Sequence, residues 1–507
     1  MNARPGSLTL TLAALFAAGC SNPANPTDAS DTVDASTDLG DDTMDVAVDS
    51  PAPDVVDVPQ DIQYVRPPPI TRTDPESVLS TRRQGCGFDA GAWPAETLGT
   101  EIPVGDDIPV DHVLVVMLEN RSFDSYYSSL PAYGQTDVEV PPAGWTNPNA
   151  SGTPVMRHHD TTEYCVADTS HSWPGSHHEW NNGMNDGFVT ANDPNGERSL
   201  YYYDQTDIPF YYSLSNTFAI ADHYHCSLLG PTNPNRFFAM AATSFGHVFN
   251  APYVDDSVAM PANQIFLEMD RAGFDWMNYA GGLRSPALFP NYTLLTRANA
   301  RHLGSISQLM SDITSGNLPP LAWIDPAFGG PAGSAYDEHP PATPMGGEAF
   351  VESIVRALMA SPAWSRSVLF VTYDEHGGMA DHVPPPAACP PDDHAAVNSD
   401  GSLVNPAPGT GFDRLGFRVP FIVVSPYAKR HFVSHMVYDH GSLLRFIEAR
   451  FGLPAMTRRD ANATPPMEMF DFANPPFATP PTDLAHSNGI SPAIRDYCNN
   501  TFGTSGP

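Results

Sequence analysis

The sequence predicts an α/β protein whose largely parallel sheet is flanked by helices. Short continuous apolar runs are each followed at once by polar residues, as expected of strands that are buried on both faces and end in loops. Between these runs lie segments whose apolar residues recur at helical spacing. Because strands that alternate with helices favour parallel pairing, ligands are expected beyond the carboxyl ends of the strands.

Four apolar runs are the predicted strands, at residues 113–118, 321–324, 368–372 and 420–424. The polar residues that follow them are, in order, Glu119 with Asn120, Asp325, Asp374 with Glu375, and Ser425. Since the carboxyl ends of parallel strands meet at one edge of a sheet, we expect these polar residues to lie along that edge.

Three helices are predicted from apolar spacing. One covers 350–359 and ends near Ser361, and another covers 443–447 and is closed by Gly452. A third begins near Thr232, because the polar segment 230–236 runs into an apolar stretch. A helix N-terminus offers free N–H groups that favour an anion and ease the ionisation of a hydroxyl. An isolated threonine in this position is by default only a helix cap.

The first 20 residues are predicted to be a lipoprotein signal peptide. Arg4 precedes an apolar run over 8–18, which is too short to span a bilayer. The run closes with small residues before Cys20, and this ending resembles a bacterial lipobox whose cysteine is lipidated. We therefore expect an exported cell-envelope lipoprotein that is attached to the membrane by its lipid anchor only. A signal peptide cleaved near Ala18, which would release a soluble secreted protein, is the alternative.

Residues 21–65 are predicted to be an acidic disordered linker, because aspartate recurs there among Pro, Thr, Ser and Ala. The spacing is irregular and lacks the glycine turns of a calcium-binding repeat. Residues 66–507 then form the catalytic domain. Lys and Arg total 24 against 58 Asp and Glu, which argues against a nucleic-acid partner. The oligomeric state is left open by the sequence.

Five cysteines lie beyond Cys20, and they are widely separated. Without a CxxC pair they do not predict a zinc cluster. In an exported protein they allow at most two disulfides with one thiol left over, and the pairing stays open.

Five segments carry the chemistry. They are 112–125 (HVLVVMLENRSFDS), 170–173 (SHSW), 222–236 (DHYHCSLLGPTNPNR), 337–341 (DEHPP) and 373–386 (YDEHGGMADHVPPP). Together they resemble the phosphoesterase family, which includes bacterial phospholipases C, plant non-specific phospholipases C and an acid phosphatase branch. The resemblance covers 111–454 and implies an alkaline-phosphatase-like α/β core. The sequence lacks GxSxG, GxxxxGK[ST] and HExxH motifs, which argues against ordinary esterases, nucleotide hydrolases and zinc proteases.

The adjacent carboxylates of Asp374 and Glu375 repel each other unless a cation or a proton lies between them. The resemblance implies that both bind one divalent metal together with Glu119, Asn120 and the hydroxyl of Thr232. Asn120 could instead hydrogen-bond a phosphoryl oxygen, and a Glu-Asn pair by itself is more often a loop or a helix cap. Oxygen ligands favour Ca²⁺, Mg²⁺ or Mn²⁺, while Zn²⁺ and Fe stay open.

The resemblance further implies that Thr232 is the nucleophile and that His171 and His339 contact the phosphoryl group or protonate the leaving oxygen. His382 is assigned to the rim of the site. The remaining candidates are assigned structural roles: His177, His178, His247, His302 and His376. A zinc site built from His171, His177 and His178 is the competing hypothesis, although the last two are adjacent and difficult to direct at one ion.

These predictions favour an exported metal-dependent phosphoesterase, first of all a phospholipase C that hydrolyses the head-group phosphodiester of phospholipids through a threonine nucleophile. A broad-specificity acid phosphatase or phosphodiesterase acting on small phosphoesters is the alternative. A surface lipoprotein that kept the fold as a binding module is the non-enzymatic alternative, and it would be expected to have lost a nucleophile or a ligand.

Overall fold

The structure is a computed structural model, and it describes residues 70–160, 164–250, 264–282, 284–289 and 302–503. The predicted signal peptide, Cys20 and the acidic linker lie outside these ranges. None of the helices within these ranges combines the length and the apolar character that a membrane span requires.

The strands of the described chain form one large sheet and two small ones. They are β1 (His112–Leu118), β2 (Thr146–Pro148), β3 (Pro154–Met156), β4 (His158–His159), β5 (Tyr201–Tyr202), β6 (Ala219–Ala221), β7 (Trp276–Ala280), β8 (Leu303–Ser305), β9 (Leu321–Asp325), β10 (Ser367–Tyr373), β11 (Phe421–Val424) and β12 (Phe432–Ser434). The large sheet has eight strands in the order β12-β6-β11-β10-β1-β9-β7-β8, and β1 lies near its centre.

The large sheet is mostly parallel, as predicted. β1 pairs in parallel with β9 and β10, and β9 pairs in parallel with β7. The three central strands are almost completely buried, which explains why each is a continuous apolar run. The four predicted strands agree with the observed ones to within one residue at each end. The α/β fold class is therefore confirmed.

One predicted strand runs in the opposite direction. β11 is antiparallel to both β10 and β6, and Val424 lies beside Leu369. Ser425 therefore lies at the amino end of β10, where its hydroxyl donates a hydrogen bond to the carbonyl oxygen of Ser367 at 2.9 Å. The expectation that Ser425 joins the other polar residues at the carboxyl edge is wrong. A continuous apolar run reports burial but carries no information about strand direction.

The α-helices pack around the large sheet. They are α1 (Glu76–Gln84), α2 (Pro94–Thr97), α3 (Phe123–Tyr127), α4 (Leu130–Tyr133), α5 (Trp173–Trp180), α6 (Phe188–Ala191), α7 (Pro209–Thr217), α8 (Thr232–Ala241), α9 (Ile265–Arg271), α10 (Ile306–Ser315), α11 (Pro344–Ala360), α12 (His440–Phe451), α13 (Arg458–Ala461) and α14 (Pro492–Phe502). The helix predicted over 350–359 is α11, and the helix predicted over 443–447 is α12, which ends at Gly452 in the left-handed conformation.

Two disulfides connect distant parts of the described chain, Cys86 with Cys389 and Cys165 with Cys498, and Cys226 is a buried free thiol. This arrangement matches the expected two bridges with one cysteine left over. It supplies the pairing that the sequence left open.

Candidate active site

The site lies at the carboxyl edge of the sheet, where β1 leads into Glu119 and Asn120 and β10 leads into Asp374 and Glu375. Asn120 has a left-handed backbone (φ 62), a conformation that asparagine tolerates better than most residues. Its N–H lies 3.3 Å from Oδ1 of Asp374, and the N–H of Asp374 donates to the carbonyl oxygen of Leu118 at 3.1 Å. The loops after β1 and β10 are thus joined to each other.

Arg236 connects the ends of three strands. Its Nε lies 3.0 Å from Oδ2 of Asp374, its Nη2 lies 3.2 Å from Oε1 of Glu119, and its Nη1 lies 3.6 Å from Oδ1 of Asp325. All four side chains are largely buried, so water screens these attractions little. The sequence placed Arg236 inside a motif but did not assign it this role.

Thr232 is the first residue of α8, as the sequence predicted to within a few residues, and it is 9% exposed. It lies one helical turn before Arg236, and residues four apart share a helix face. In the first turn of this helix the N–H of Asn233 donates to Oδ1 of Asn250 at 2.8 Å, and Pro234 has no N–H. Arg236 therefore holds the amino-terminal turns of α8 at the carboxyl edge of the sheet. We call this edge the acidic edge, because Glu119, Asp325, Asp374 and Glu375 lie there.

The carboxyl groups at this edge are crowded and buried. Burial and the nearby carboxylate of Asp374 raise the pKa of Glu375 to about 8, although His171 and His339 act in the opposite direction. Burial also raises the pKa of Glu119 well above its ordinary value, although Arg236 opposes that shift. Such groups ionise readily only when additional positive charge is bound beside them.

Unpartnered polar atoms show where a cation fits. Oδ1 of Asn120 and Oε1 of Glu375 are buried and have no hydrogen-bond partner in the described part of the chain. A buried polar atom left in this state is costly, and a bound ion removes the cost. Asp374 is more fully occupied, since it accepts hydrogen bonds from Arg236 and from the N–H groups of Asn120 and Glu375. The donor set fits a divalent cation that prefers oxygen ligands.

His171 and His339 are close neighbours, with ring centroids 5.6 Å apart. Asp168 lies beside them, and one potential ligand atom from each of the three residues falls within 4.8 Å of the others. The Nδ1 atom of His171 is 2.8 Å from the carbonyl oxygen of Thr169, and that of His339 is 2.6 Å from the carbonyl oxygen of Pro340. Because a carbonyl oxygen only accepts hydrogen bonds, each Nδ1 carries a proton.

The loop that carries His171 packs on the loop that follows Glu375. The hydroxyl of Thr169 donates to the carbonyl oxygen of Gly377, and Gly378 has φ 68. A Cβ added to Gly378 would lie 2.6 Å from the carbonyl oxygen of Ser170, so only glycine permits this approach. The contact brings the Ser-His-Ser-Trp segment to the acidic edge.

The competing zinc site is not assembled. Nδ1 of His177 lies 2.7 Å from the carbonyl oxygen of Trp173, and Nε2 of His178 lies 2.8 Å from the hydroxyl of Thr190. His339, rather than either of these residues, lies beside His171.

The other candidate histidines differ in their surroundings. His376 is buried between Glu179, 2.8 Å from its Nε2, and Glu375, 3.3 Å from its Nδ1. His382 pairs with Asp124 at 2.7 Å in a group that includes Arg418 and Asp381. His302 stacks on Trp276 with centroids 4.2 Å apart, and His247 packs against two phenylalanine rings. His376 thus touches Glu375, a residue of the acidic edge.

The comparisons with known proteins agree on the chemistry. A sequence model of the Phosphoesterase family matches residues 110–454. Phospholipase C B of Mycobacterium tuberculosis is 32% identical over 454 residues, which cover 78% of this chain and 84% of the relative. Non-hemolytic phospholipase C of Pseudomonas aeruginosa is 33% identical and is covered over 58% of its length, against 72% of this chain. Non-specific phospholipase C6 of Arabidopsis thaliana is 30% identical, with 74% of each chain covered.

A solved structure of a protein in the alkaline phosphatase superfamily from Vibrio parahaemolyticus has a TM-score of 0.32 and 11% identity, covering 50% of this chain and 63% of that one. The order and direction of the eight strands of the large sheet establish the α/β fold of this chain. The family match and the relatives confirm the resemblance that the motifs predicted. The chain belongs to the phosphoesterase family and is a hydrolase that acts on phosphoester bonds.

Proposed function

We propose that this protein is an exported, metal-dependent phospholipase C that hydrolyses head-group phosphodiesters with Thr232 as its nucleophile. The observation that carries the proposal is the edge of the sheet where Arg236 holds α8 beside Asp374 and Glu119. The unpartnered oxygens of Asn120 and Glu375 belong to the same edge. A nucleophile, an acidic group and open oxygen ligands are the parts that phosphoryl transfer requires.

Glu119, Asn120, Asp374, Glu375 and the hydroxyl oxygen of Thr232 would hold the metal. A divalent ion there supplies positive charge that stabilises an ionised hydroxyl and the phosphoryl oxygens. The oxygen donors favour Ca²⁺, Mg²⁺ or Mn²⁺.

Thr232 supplies the attacking oxygen. Its position at the first residue of α8 places it at the positive end of the helix dipole, which lowers the cost of ionising its hydroxyl. A bond forms between this oxygen and phosphorus while the bond from phosphorus to the diacylglycerol oxygen breaks. Water then cleaves the phosphothreonine, which releases the phosphorylated head group and restores the hydroxyl.

His171 and His339 supply the proton for the departing alcohol. Their Nδ1 atoms are committed to backbone carbonyls, so proton exchange with substrate takes place at Nε2. An imidazole titrates near neutrality and can therefore give a proton to the leaving oxygen and take one from the attacking water.

The substrate and the location extend this proposal. A phospholipid substrate is supported by relatives that are named as phospholipases C, and among phospholipids we choose phosphatidylcholine and phosphatidylethanolamine first. Lipidation of Cys20 after export would hold the enzyme at the cell envelope, and the lipid would be its only attachment to the membrane. A purified mature protein that carries diacylglycerol at Cys20, seen by mass spectrometry, is the expected result. An unmodified mature N-terminus would support release as a soluble protein.

The nucleophile is tested with Thr232→Ala and Thr232→Ser on p-nitrophenyl phosphorylcholine. We expect Thr232→Ala to lose at least about 1,000-fold in kcat, whereas Thr232→Ser keeps the oxygen and stays active. Both variants should unfold at the same temperature as the parent protein. Substantial residual turnover by a folded Thr232→Ala variant would overturn the assignment. Faster turnover of p-nitrophenyl phosphate than of the diester would favour the acid phosphatase alternative.

A further inference from the structure

Glu338 is buried beside the active site and accepts hydrogen bonds from three tyrosines. Its Oε1 accepts from the hydroxyl of Tyr211 at 2.8 Å, and its Oε2 accepts from the hydroxyls of Tyr373, at 2.8 Å, and Tyr126. The side chain is fully shielded from water. We call Tyr126, Tyr211 and Tyr373 the tyrosine cage.

The tyrosine cage joins elements that meet at the acidic edge. Tyr373 is the last residue of β10 and directly precedes Asp374. Tyr126 lies on α3, which follows Asn120, and Tyr211 lies on α7. One carboxylate is therefore attached to the last residue of β10, to the helix that follows β1 and to α7.

The backbone around Glu338 is held as firmly as its side chain. Nη2 of Arg121 donates to the carbonyl oxygen of Glu338 at 2.6 Å, and the N–H of Glu119 donates to the carbonyl oxygen of Asp337 at 2.9 Å. Glu338 has φ 72, which is uncommon for a residue with a side chain and persists only when its surroundings enforce it.

Gly347 of α11 completes the enclosure, because a Cβ placed there would lie 2.0 Å from Oε1 of Glu338. His339 follows directly in the chain. It therefore leaves a residue whose side chain, carbonyl group and backbone conformation are all constrained.

We propose that Glu338 is a positioning residue whose capture by the tyrosine cage holds His339 at the site of the leaving oxygen. The inference rests on the proposed role of His339 as the acid for the departing alcohol. General acid catalysis is sensitive to small displacements, since about 1 Å of misplacement can cost about 100-fold in rate. Loss of the cage interactions should therefore weaken proton donation more than it weakens the attack by Thr232.

The test is Glu338→Gln, which keeps the size of the side chain and replaces an acceptor oxygen with a donor that faces a tyrosine hydroxyl. Two substrates share the phosphorylcholine head group and differ in the leaving alcohol. p-Nitrophenol departs without a proton, whereas the alcohol of a short-chain phosphatidylcholine requires one. We expect kcat/KM of Glu338→Gln to fall about 10-fold to 100-fold on the lipid and less than about 3-fold on the nitrophenyl ester.

Glu348→Gln is the matched control. Glu348 is also a fully buried glutamate near α7, but its Oε1 accepts from the N–H groups of Phe210 and Tyr211 and not from a cage hydroxyl. The Glu348→Gln variant should leave the ratio of kcat/KM on the lipid to kcat/KM on the nitrophenyl ester unchanged. Tyr373→Phe removes one donor from Glu338 and should shift the ratio in the same direction as Glu338→Gln, which keeps the test decisive should the glutamine variant not fold.

His339→Ala separates this inference from the proposed function. If His339→Ala loses activity selectively on the lipid and Glu338→Gln and Tyr373→Phe do not, the positioning role of Glu338 is overturned and His339 remains the acid. If His339→Ala loses activity equally on both substrates, His339 is not the acid and the inference falls with that assignment. Equal losses on both substrates in folded Glu338→Gln and Tyr373→Phe variants would also overturn the positioning role.

Discussion

The guanidinium Nε of Arg236 lies 3.0 Å from Oδ2 of Asp374, and both side chains are buried. The pair connects α8, which begins at Thr232, with the end of β10. The proposed nucleophile Thr232 must be held at a fixed distance from Glu119, Asp374 and Glu375, and this ion pair supplies the connection. The guanidinium also neutralises part of the negative charge of these carboxylates, whereas the sequence analysis attributed that neutralisation to a bound metal.

Replacement of Arg236 should destabilise the protein strongly. In Arg236→Gln, Asp374, Glu119 and Asp325 lose a shared counter-ion in a buried setting, so we expect the free energy of unfolding to fall by about 3 kcal/mol or more. Urea denaturation in the presence of a chelator measures this effect. Arg366→Gln is the control, since its pair with Asp111 is half exposed and should contribute less than about 1 kcal/mol. Similar losses in the two variants would contradict this account.

Asn120 provides a test of cation binding that does not depend on turnover. Asn120→Gly removes the unpartnered amide and suits the positive φ, so the cation-free protein should lose little stability. We expect its affinity for Mn²⁺ or Ca²⁺ to fall about 10-fold or more, measured by calorimetric titration.

Asn235→Ala is the matched control for Asn120→Gly. Oδ1 of Asn235 accepts from the N–H groups of Ser227 and Leu228, so this variant should lose stability and keep its cation affinity. Unchanged affinity in Asn120→Gly would remove Asn120 from the ligand set.

The predicted fold and the observed fold differ where contacts between distant segments determine the direction of a strand. Runs such as 113–118 and 368–372 are buried on both faces, and a strand of this kind is recognisable in the sequence as a continuous apolar run. The direction of β11 is set by its neighbours β6 and β10, and its four apolar residues carry no sign of it.

The candidate site likewise combines features that the sequence predicted with features that depend on tertiary contacts. Motifs at strand ends predicted that Glu119, Asn120, Asp374 and Glu375 lie at one edge of the sheet. The partners Arg236 and Glu338 were quoted within motifs, but their roles depend on contacts with residues more than 30 positions away in the chain. The available signal was a charged residue inside a motif, and a motif does not specify which distant side chains that charge contacts.

Ionisation of the buried Glu348 should lower the free energy of unfolding as the pH rises. Burial raises its pKa to about 8, whereas the carboxyl group of an unfolded chain has a pKa near 4.5. Between these values the folded protein holds a proton that the unfolded chain has lost, so the contribution of this group to stability falls as the pH rises from about 4.5 to 8. Glu348→Gln lacks this titration and should gain on the parent protein across that range, by at most about 5 kcal/mol.

Urea denaturation at several pH values checks the Glu348 prediction, and Glu352→Gln serves as a control of opposite sign. Burial acts to raise the pKa of Glu352, but hydrogen bonds from Ser487, Arg356 and His486 outweigh it and lower the pKa to about 2. Its contribution is therefore present above about pH 4.5 and is lost as the pH falls towards 2. Parallel pH dependence in the two variants would show that burial of Glu348 does not control its ionisation.

The disulfide between Cys165 and Cys498 should support activity as well as stability. It fixes α14 to the segment that precedes Asp168 and His171. The same helix meets the segment before His339, because Oδ1 of Asn499 accepts from the N–H of Gly333 at 3.2 Å and a Cβ at Gly333 would lie 2.7 Å from the carbonyl oxygen of Arg495. One helix therefore contacts the segments that carry both histidines.

Cys498→Ser should lower the free energy of unfolding by about 2–4 kcal/mol and should also reduce kcat on a short-chain phosphatidylcholine. Cys86→Ser is the control, since the disulfide between Cys86 and Cys389 connects the segment just after α1 to a loop that carries neither His171 nor His339. It should cost similar stability while kcat changes little at a temperature where both variants are folded. A fall in kcat of the same size in Cys86→Ser would mean that α14 has no particular influence on the histidines, and that lost stability alone explains the slower turnover.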